Sequence, residues 1–515
     1  MNKRNYNIFF HLHTVSGIVI SVVLFILFFA GSFAFFKDDI TNWQRSEYVV
    51  AEKEIQLNFD ATINSLKTNY NLYGRDITIT QPTKERRVNI NITASKDSLA
   101  TDEEKQSQFF YLDTETYKTH DYISSYSLGE FLYRLHFLAQ IPYPVGYFLA
   151  GFVALFFLFA IITGVLVHWK KIISNFYTFR PLAKLKTLWT DAHTALGMIG
   201  LPFQFVYAVT GAYFMIKILF LAPSVVLLYE GDQNKLYEDL EYTSTSIPFE
   251  YKRISTEIHI NHFVNNSKTV WSNFNITKVK ISNYGDSNMH VSVEGVLDIK
   301  DKFASLGKIV YKVATNEIIS QKNPITETSY ISSVQNILYR LHYGDYGGYG
   351  LKIISFVLGF ITCFVIISGV MIWLVARDKK NISEKKRKFN MGVVQIYLAI
   401  CLSMFPITAL SFIAVKLFSV GGQSFIYSFY FLGWLLLSVF FILKRDIYFT
   451  NKYALLFGSI FGILVPITNG IVTRNWFWIS FKNQQYGVFF IDVLWIVISI
   501  IALSVFFKLK HKKTS

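Results

Sequence analysis

The sequence predicts a polytopic α-helical membrane protein of about eight spans, with two small α+β domains outside the membrane. Four of the spans form a bundle built from two parallel repeats. Three observations predict this. Apolar runs of about twenty residues recur along the 515-residue chain, the length that crosses a bilayer core of about 30 Å as helix. Basic residues collect between alternate runs. A polar phrase, "FLYRLH" at 131–136, returns as "ILYRLH" at 337–342, 206 residues later.

Hydrophobic residues make up 52% of the chain and aromatics 17%, and the mean hydropathy is +0.33. The apolar runs fall at about 14–36, 145–168, 192–216, 350–375, 393–415, 424–443, 453–472 and 487–507. A net charge of +15 accompanies them, and its placement excludes a nucleic-acid footprint. It gathers in "KKIISNFYTFRPLAKLK" (170–186), "RDKKNISEKKRK" (377–388), "KR" (444–445) and "KLKHKK" (508–513), with Lys3 and Arg4 at the start. If each run spans once, all these segments share one side, which the positive-inside rule makes the cytoplasm. Both termini are then cytoplasmic. The first run is too long for a signal-peptide core and reads as a retained anchor. Cys363 and Cys401 lie within apolar runs, so neither a disulfide framework nor a cysteine metal site is expected.

In order, the chain reads as a first span (1–36), an outer domain (37–130), the first LYRLH segment with the second span (131–170) and a basic loop (171–191). A third span (192–216), a second outer domain (217–336), the second LYRLH segment with the fourth span (337–376) and another basic loop (377–390) follow. Four further spans (391–508) and a tail (509–515) complete it. The outer segments show strand alternation in "RDITIT", "RRVNINITA", "NITKVKIS" and "MHVSVEGV". Each then reaches a strand–turn–strand phrase, "SQFFYLDTETYKTHDY" (107–122) or "GKIVYKVATNEIISQK" (307–322).

The spans repeat as well. "HTVSGIVISVVLFILFFAGSF" (13–33) aligns without gaps to "HTALGMIGLPFQFVYAVTGAY" (193–213), and "ITGVLVHW" (162–169) to "ISGVMIWL" (367–374). Residues 1–170 and 190–376 are therefore two copies of span, outer domain, LYRLH and span. Both start in the cytoplasm, so they relate about an axis along the membrane normal. Residues 391–508 match neither copy, and Gln395, Lys416, Asn469 and Asp492 are their notable polar residues.

Of the eleven histidines, His13 and His193 are equivalent at the inner ends of their spans, and His136 and His342 are equivalent just before theirs. Two histidine pairs at two depths of a four-helix bundle suit two haems with bis-imidazole ligation. Positions 18 apart lie five turns, about 27 Å, along one helix face. This puts Gly31 and Gly211 near the depth of His136 and His342. Gly164 and Gly369 fall near His13 and His193. Glycine gives a macrocycle a wall without side chains, although glycines in spans also serve helix packing. Arg134 and Arg340 stand two residues before their histidines. Haem propionates and lipid phosphates are both open as their partners. His168 breaks the symmetry, facing Trp373 in the alignment, and is a candidate inner ligand or relay. His11 points away from His13 on a helix and is the weaker candidate.

"HTVSG…AGSF", "LYRLH…ITGV", their second copies and the two outer segments resemble the PepSY-associated transmembrane family over about residues 1–380. The family includes siderophore-linked ferric reductases of the bacterial inner membrane. The resemblance implies periplasmic PepSY domains and a four-helix core with b-type haems on His13, His193, His136 and His342. It also implies electron transfer to a periplasmic ferric siderophore. No cytoplasmic segment is long enough for a flavin or nicotinamide domain, and "GDYGGYG" (344–350) lies outside as a linker. Electrons are therefore expected from quinol or a separate protein. The competing readings are a non-enzymatic PepSY-type binding or regulatory protein, and a transporter of iron or a chelate.

Overall fold

The computed structural model describes residues 2–47, 55, 57–81, 85–171, 174, 177, 180, 183, 185–240, 247–271, 273–297, 306–327, 329–379, 381–418 and 421–509. Two compact units emerge, one of residues 1–46, 126–223 and 339–515, the other of 47–125 and 224–338.

The first unit is helical. Its helices, with those that lead into it, are α1 (Lys3–Ala34), α2 (Lys37–Arg45), α3 (Leu128–Leu135), α4 (Val145–His168), α5 (Leu185–Leu228) and α6 (Tyr330–Tyr343). They continue as α7 (Gly348–Arg377), α8 (Glu384–Leu417), α9 (Gly422–Lys444), α10 (Ile447–Thr473), α11 (Phe477–Lys482) and α12 (Tyr486–Lys508). Among the described residues eight helices are long and apolar enough to cross a membrane. They match the eight apolar runs, and the chain is a polytopic membrane protein. The helices outrun the apolar stretches: α1 starts at Lys3 and α5 runs 44 residues, with Pro202 and Pro223 inside it. Hydropathy measures the thickness of the bilayer, whereas backbone hydrogen bonding continues into the flanks.

α1 packs along α4 and α7, and α8 packs along α9 and α10. An aromatic cluster joins α1 to the C-terminal helices. The Trp495 ring lies 5.7 Å from Phe33 and 5.1 Å from Phe412. Cys363 and Cys401 are free and buried.

The second unit corrects an expectation. Two separate outer domains were predicted, but the strands form one eight-stranded antiparallel sheet in the order β4-β3-β2-β1-β5-β6-β7-β8. The strands are β1 (Ile77–Thr80), β2 (Arg87–Ile92), β3 (Gln108–Asp113), β4 (Thr119–Asp121), β5 (Phe274–Ser282), β6 (His290–Leu297), β7 (Leu306–Lys312) and β8 (Glu317–Lys322). Each comes from a phrase whose alternation or strand–turn–strand pattern predicts strand. The halves join where β1 pairs with β5, Ile79 opposite Val279. Apart, each half would leave an unpaired edge inviting other strands; joined, they remove two edges. One face buries Ile77, Ile79, Ile90, Val279, Ile281 and Val293 under Phe59, Ile63 and Phe263 of the helices Phe59–Asn69 and Ile260–Val270.

Those two helices cap each other. Asp60 Oδ1 accepts from the Ile260 and Asn261 amides at 2.5 and 3.3 Å, and Asn261 Oδ1 accepts from the Phe59 amide at 2.9 Å. Each half thus satisfies amides at the start of the other half's helix. Asp60→Ala should cost about 1 kcal/mol of local stability, the worth of a helix cap. Faster hydrogen exchange in 260–270, with β2 and β3 unaffected, is the expected readout.

Candidate functional site

All four paired histidines lie in the helical unit. The His13 and His193 rings are 6.1 Å apart, with an angle of 70° between planes. The His136 and His342 rings are 6.3 Å apart at 32°. A metal–imidazole bond of about 2.0 Å, and roughly 1.1 Å from ring nitrogen to ring centre, place two imidazoles that share one metal about 6.2 Å apart. Both pairs have that spacing.

The second ring nitrogen decides which atom is left for a metal. His13 Nδ1 is 2.8 Å from the Ala160 carbonyl, and His193 Nδ1 is 2.9 Å from the Val365 carbonyl. Ser368 Oγ stands 3.1 Å from the same His193 nitrogen. His136 Nδ1 bonds the Tyr133 carbonyl. A carbonyl only accepts, so in these three rings Nδ1 carries the proton and Nε2 keeps its lone pair. His342 Nδ1 is 2.8 Å from Thr210 Oγ1, whose own proton goes to the Val206 carbonyl at 2.6 Å. The hydroxyl therefore accepts here too, and all four rings present Nε2 as the free donor atom.

Glycine makes the inner arrangement possible. Gly164 and Gly369 each sit four residues after the carbonyl that receives the histidine. A Cβ on Gly164 would stand 3.1 Å from His13 Cε1 and 3.2 Å from Nδ1, and one on Gly369 3.3 Å from His193 Cε1. The missing side chain lets the imidazole reach a carbonyl already engaged in its helix. These two glycines thus back the ligand ring itself. At the outer level a Cβ on Gly31 would lie 3.7 Å from His136 Cβ. Gly211 lies at the same level, beside Thr210, which contacts His342; a Cβ on Gly211 would meet Ala154 at 3.4 Å.

Arg134 bonds Glu130 at 2.7 Å, and Arg340 stands 3.5 Å from Asp345. Each guanidinium has five donors, so a carboxylate neighbour leaves capacity for a second anion. His168 ends α4, close enough to His13 and His193 to interact electrostatically with both. His11 is exposed beside Phe10 and stands outside the pair. Sequence reasoning missed Thr210, the receiving carbonyls, and the rings of Tyr207 and Phe214, which lie 5.0 and 5.1 Å from His342. The glycines were the available signal for the inner carbonyls, since in a helix the residue four before a glycine shares its face.

The donor set fits a haem iron. Each level offers two neutral imidazoles whose Nδ1 is engaged and whose ring separation suits ligands on opposite sides of one metal, with glycine or aromatic rings around them. Among the described residues no three His, Cys, Asp or Glu side chains cluster as a metal site of their own. A membrane-embedded helical bundle with two histidine pairs is the class of protein that this geometry defines. The chain matches the family of the PepSY-associated TM region over residues 10–376 and belongs to it. Comparison with curated proteins gives no match.

Burial pushes His136 down to about 4 and His342 to about 3, against an ordinary imidazole value of 6.5. Between those values the unfolded chain binds more protons than the folded one. The stability that comes from keeping the rings neutral is complete above about pH 6.5 and is lost as the pH falls toward 4. The thermal midpoint should accordingly drop between pH 7 and pH 5, and His342→Gln should flatten that drop. Gly164→Ala should displace the His13 ring and weaken metal ligation at the inner level alone, which titration of the protein with iron protoporphyrin would detect as the loss of one binding event.

Proposed function

We propose that this chain carries electrons across the bacterial inner membrane through two b-type haems and reduces a periplasmic ferric siderophore. His13 and His193 would ligate the inner haem, and His136 and His342 the outer one. The observation that carries this reading is the pair of ring separations, 6.1 and 6.3 Å, with every Nδ1 already engaged. When bound, haem iron supplies one-electron chemistry whose potential follows its ligands and surroundings.

The protein's part is to hold and insulate. The receiving carbonyls and Thr210 fix ring orientation and tautomer, which makes Nε2 a better donor. Gly31, 18 residues beyond His13, sets the two levels about 27 Å apart along α1. Between them the bundle is filled by Phe28, Phe157, Phe203 and Tyr207, with Phe28 at 5.3 Å from Phe157 and Phe203 at 4.3 Å from Tyr207. Arg134 and Arg340 would bind haem propionates, with lipid phosphate as the alternative partner. Reduction of the substrate from Fe(III) to Fe(II) weakens its hard-oxygen chelation and frees the iron. Electrons would enter from quinol or a separate donor protein.

Visible spectroscopy of the detergent-purified protein, oxidised and dithionite-reduced, tests the reading. About two haems per chain with sharp reduced bands are expected of bis-imidazole ligation. His13→Ala and His136→Ala should each remove one. A colourless protein from haem-replete cells overturns it.

A further inference from the structure

The four C-terminal spans lie beyond the matched family region, and three of their buried polar residues, Lys416, Asn469 and Asp492, converge on one short helix, α2. Trp43 Nε1 donates to Asp492 Oδ1 at 2.8 Å, and Asn469 Nδ2 donates to Asp492 Oδ2 at 2.9 Å. Lys416 bonds the Trp43 carbonyl and, at 3.0 Å, Ser46 Oγ, with its ammonium 4.5 Å over the Trp43 ring. Trp43 and Asp492 are 0% exposed and Lys416 is 5% exposed. Side chains this costly to bury stay only where each finds partners.

The other contacts of α2 lead to the outer histidine pair. Gln44 Oε1 accepts from the Leu128 amide at 2.7 Å, capping the start of α3, and Thr41 Oγ1 is 2.8 Å from Ser127 Oγ. Lys37 pairs with Glu130 at 3.0 Å. Gly129 permits this closeness, because a Cβ there would meet the Lys37 carbonyl and Thr41 Oγ1. α3 ends at His136, which is its C-cap. Toward the second half, Asp39 accepts from Tyr349 Oη at 2.6 Å and lies 3.8 Å from Lys352, both in the span that follows His342. α2 therefore links the C-terminal spans to both segments that carry outer histidines.

We propose that the C-terminal spans are the positioning scaffold of the outer histidine pair, with Trp43 and Asp492 as positioning residues that hold α2, and through it α3 and His136. The role in setting a haem rests on the di-haem reading; the mechanical link does not.

Hydrogen–deuterium exchange of the full-length protein tests the link with or without haem. Trp43→Phe removes the indole N–H donor and replaces the two-ring side chain with a smaller phenyl ring. It should speed exchange of the 127–136 amides by about tenfold, the order expected when one charge-assisted hydrogen bond is lost, while amides around His13 keep their rates. Asp492→Leu should do the same, and Asp492→Asn, which retains an acceptor for Trp43, should keep the protection. Gln395→Leu is the control within the same spans. Gln395 bonds the Phe441 carbonyl and Thr450, both at 3.0 Å, and its loss should leave 127–136 unchanged. In haem-loaded protein, Trp43→Phe should shift the midpoint potential of the haem that His136→Ala removes, but not of the one that His13→Ala removes. Unchanged 127–136 exchange in Trp43→Phe, or an equal rise with Gln395→Leu, overturns the proposal. A haem-free wild type would instead overturn the di-haem reading and leave the exchange result to decide the link.

Discussion

A histidine inside an apolar bundle has a ring N–H that must find an acceptor, and the helical core is arranged around that requirement. Helix carbonyls are the only abundant acceptors there, and each is already bonded to the amide four residues on. A carbonyl has a second lone pair, but side chains one turn away usually cover it. Gly164 and Gly369 uncover the carbonyls of Ala160 and Val365. Once the N–H is spent, the ring is fixed in tautomer and held in place, and the other nitrogen keeps its lone pair. The spacing of each pair thus follows from where two helices let an imidazole dock.

The outer level solves the same problem differently in each half. His136 bonds a carbonyl of its own short helix, whereas His342 uses Thr210. The aligned position in the first half is Ala30, which has no acceptor to offer. α3 is also only 8 residues long, against 14 for α6. So short a helix has little stability of its own and depends on tertiary contacts. Gln44, Thr41 and Lys37 supply them, and the buried Trp43–Asp492 bond anchors their helix in turn. The asymmetry between the halves and the presence of extra spans are then one fact.

Periodicity and repetition carried much of this architecture in readable form. Eight apolar runs mark eight helices because bilayer thickness sets a length that composition records. The alternating phrases mark β1, β2, β5 and β6 because one sheet face is buried, and the strand–turn–strand phrases mark the other four. What the sequence did not disclose depends on partners far along the chain. Asp492 reads as an unexplained acid until Trp43, 449 residues away, is seen to donate to it. The fusion of the halves into one sheet is equally silent, since an edge strand and an inner strand share the same alternation. The depth of Gly211 was readable from helical phase, but its contact with Ala154 was not, because phase alone does not say which helix is adjacent.

Repetition also has a physical reading that separates the letters of LYRLH. Where two copies pack about a local axis, a residue near that axis meets its own counterpart, and one farther out meets something else. His136 lies beside His342, the two ring centres 6.3 Å apart, and the strands β1 and β5 of the two halves pair at the junction of the sheet. Tyr133, by contrast, is 3.1 Å from Tyr343 and not from its equivalent Tyr339, which stacks on Phe214 at 4.7 Å. Arg134 is held by Glu130 and Arg340 by Asp345, acids at different positions in the two copies. Only the histidine of the phrase is therefore bound to stay identical by self-contact. The tyrosine and arginine met different neighbours and had room to diverge separately. The outer haem proposed above would make the same demand of both edges at once.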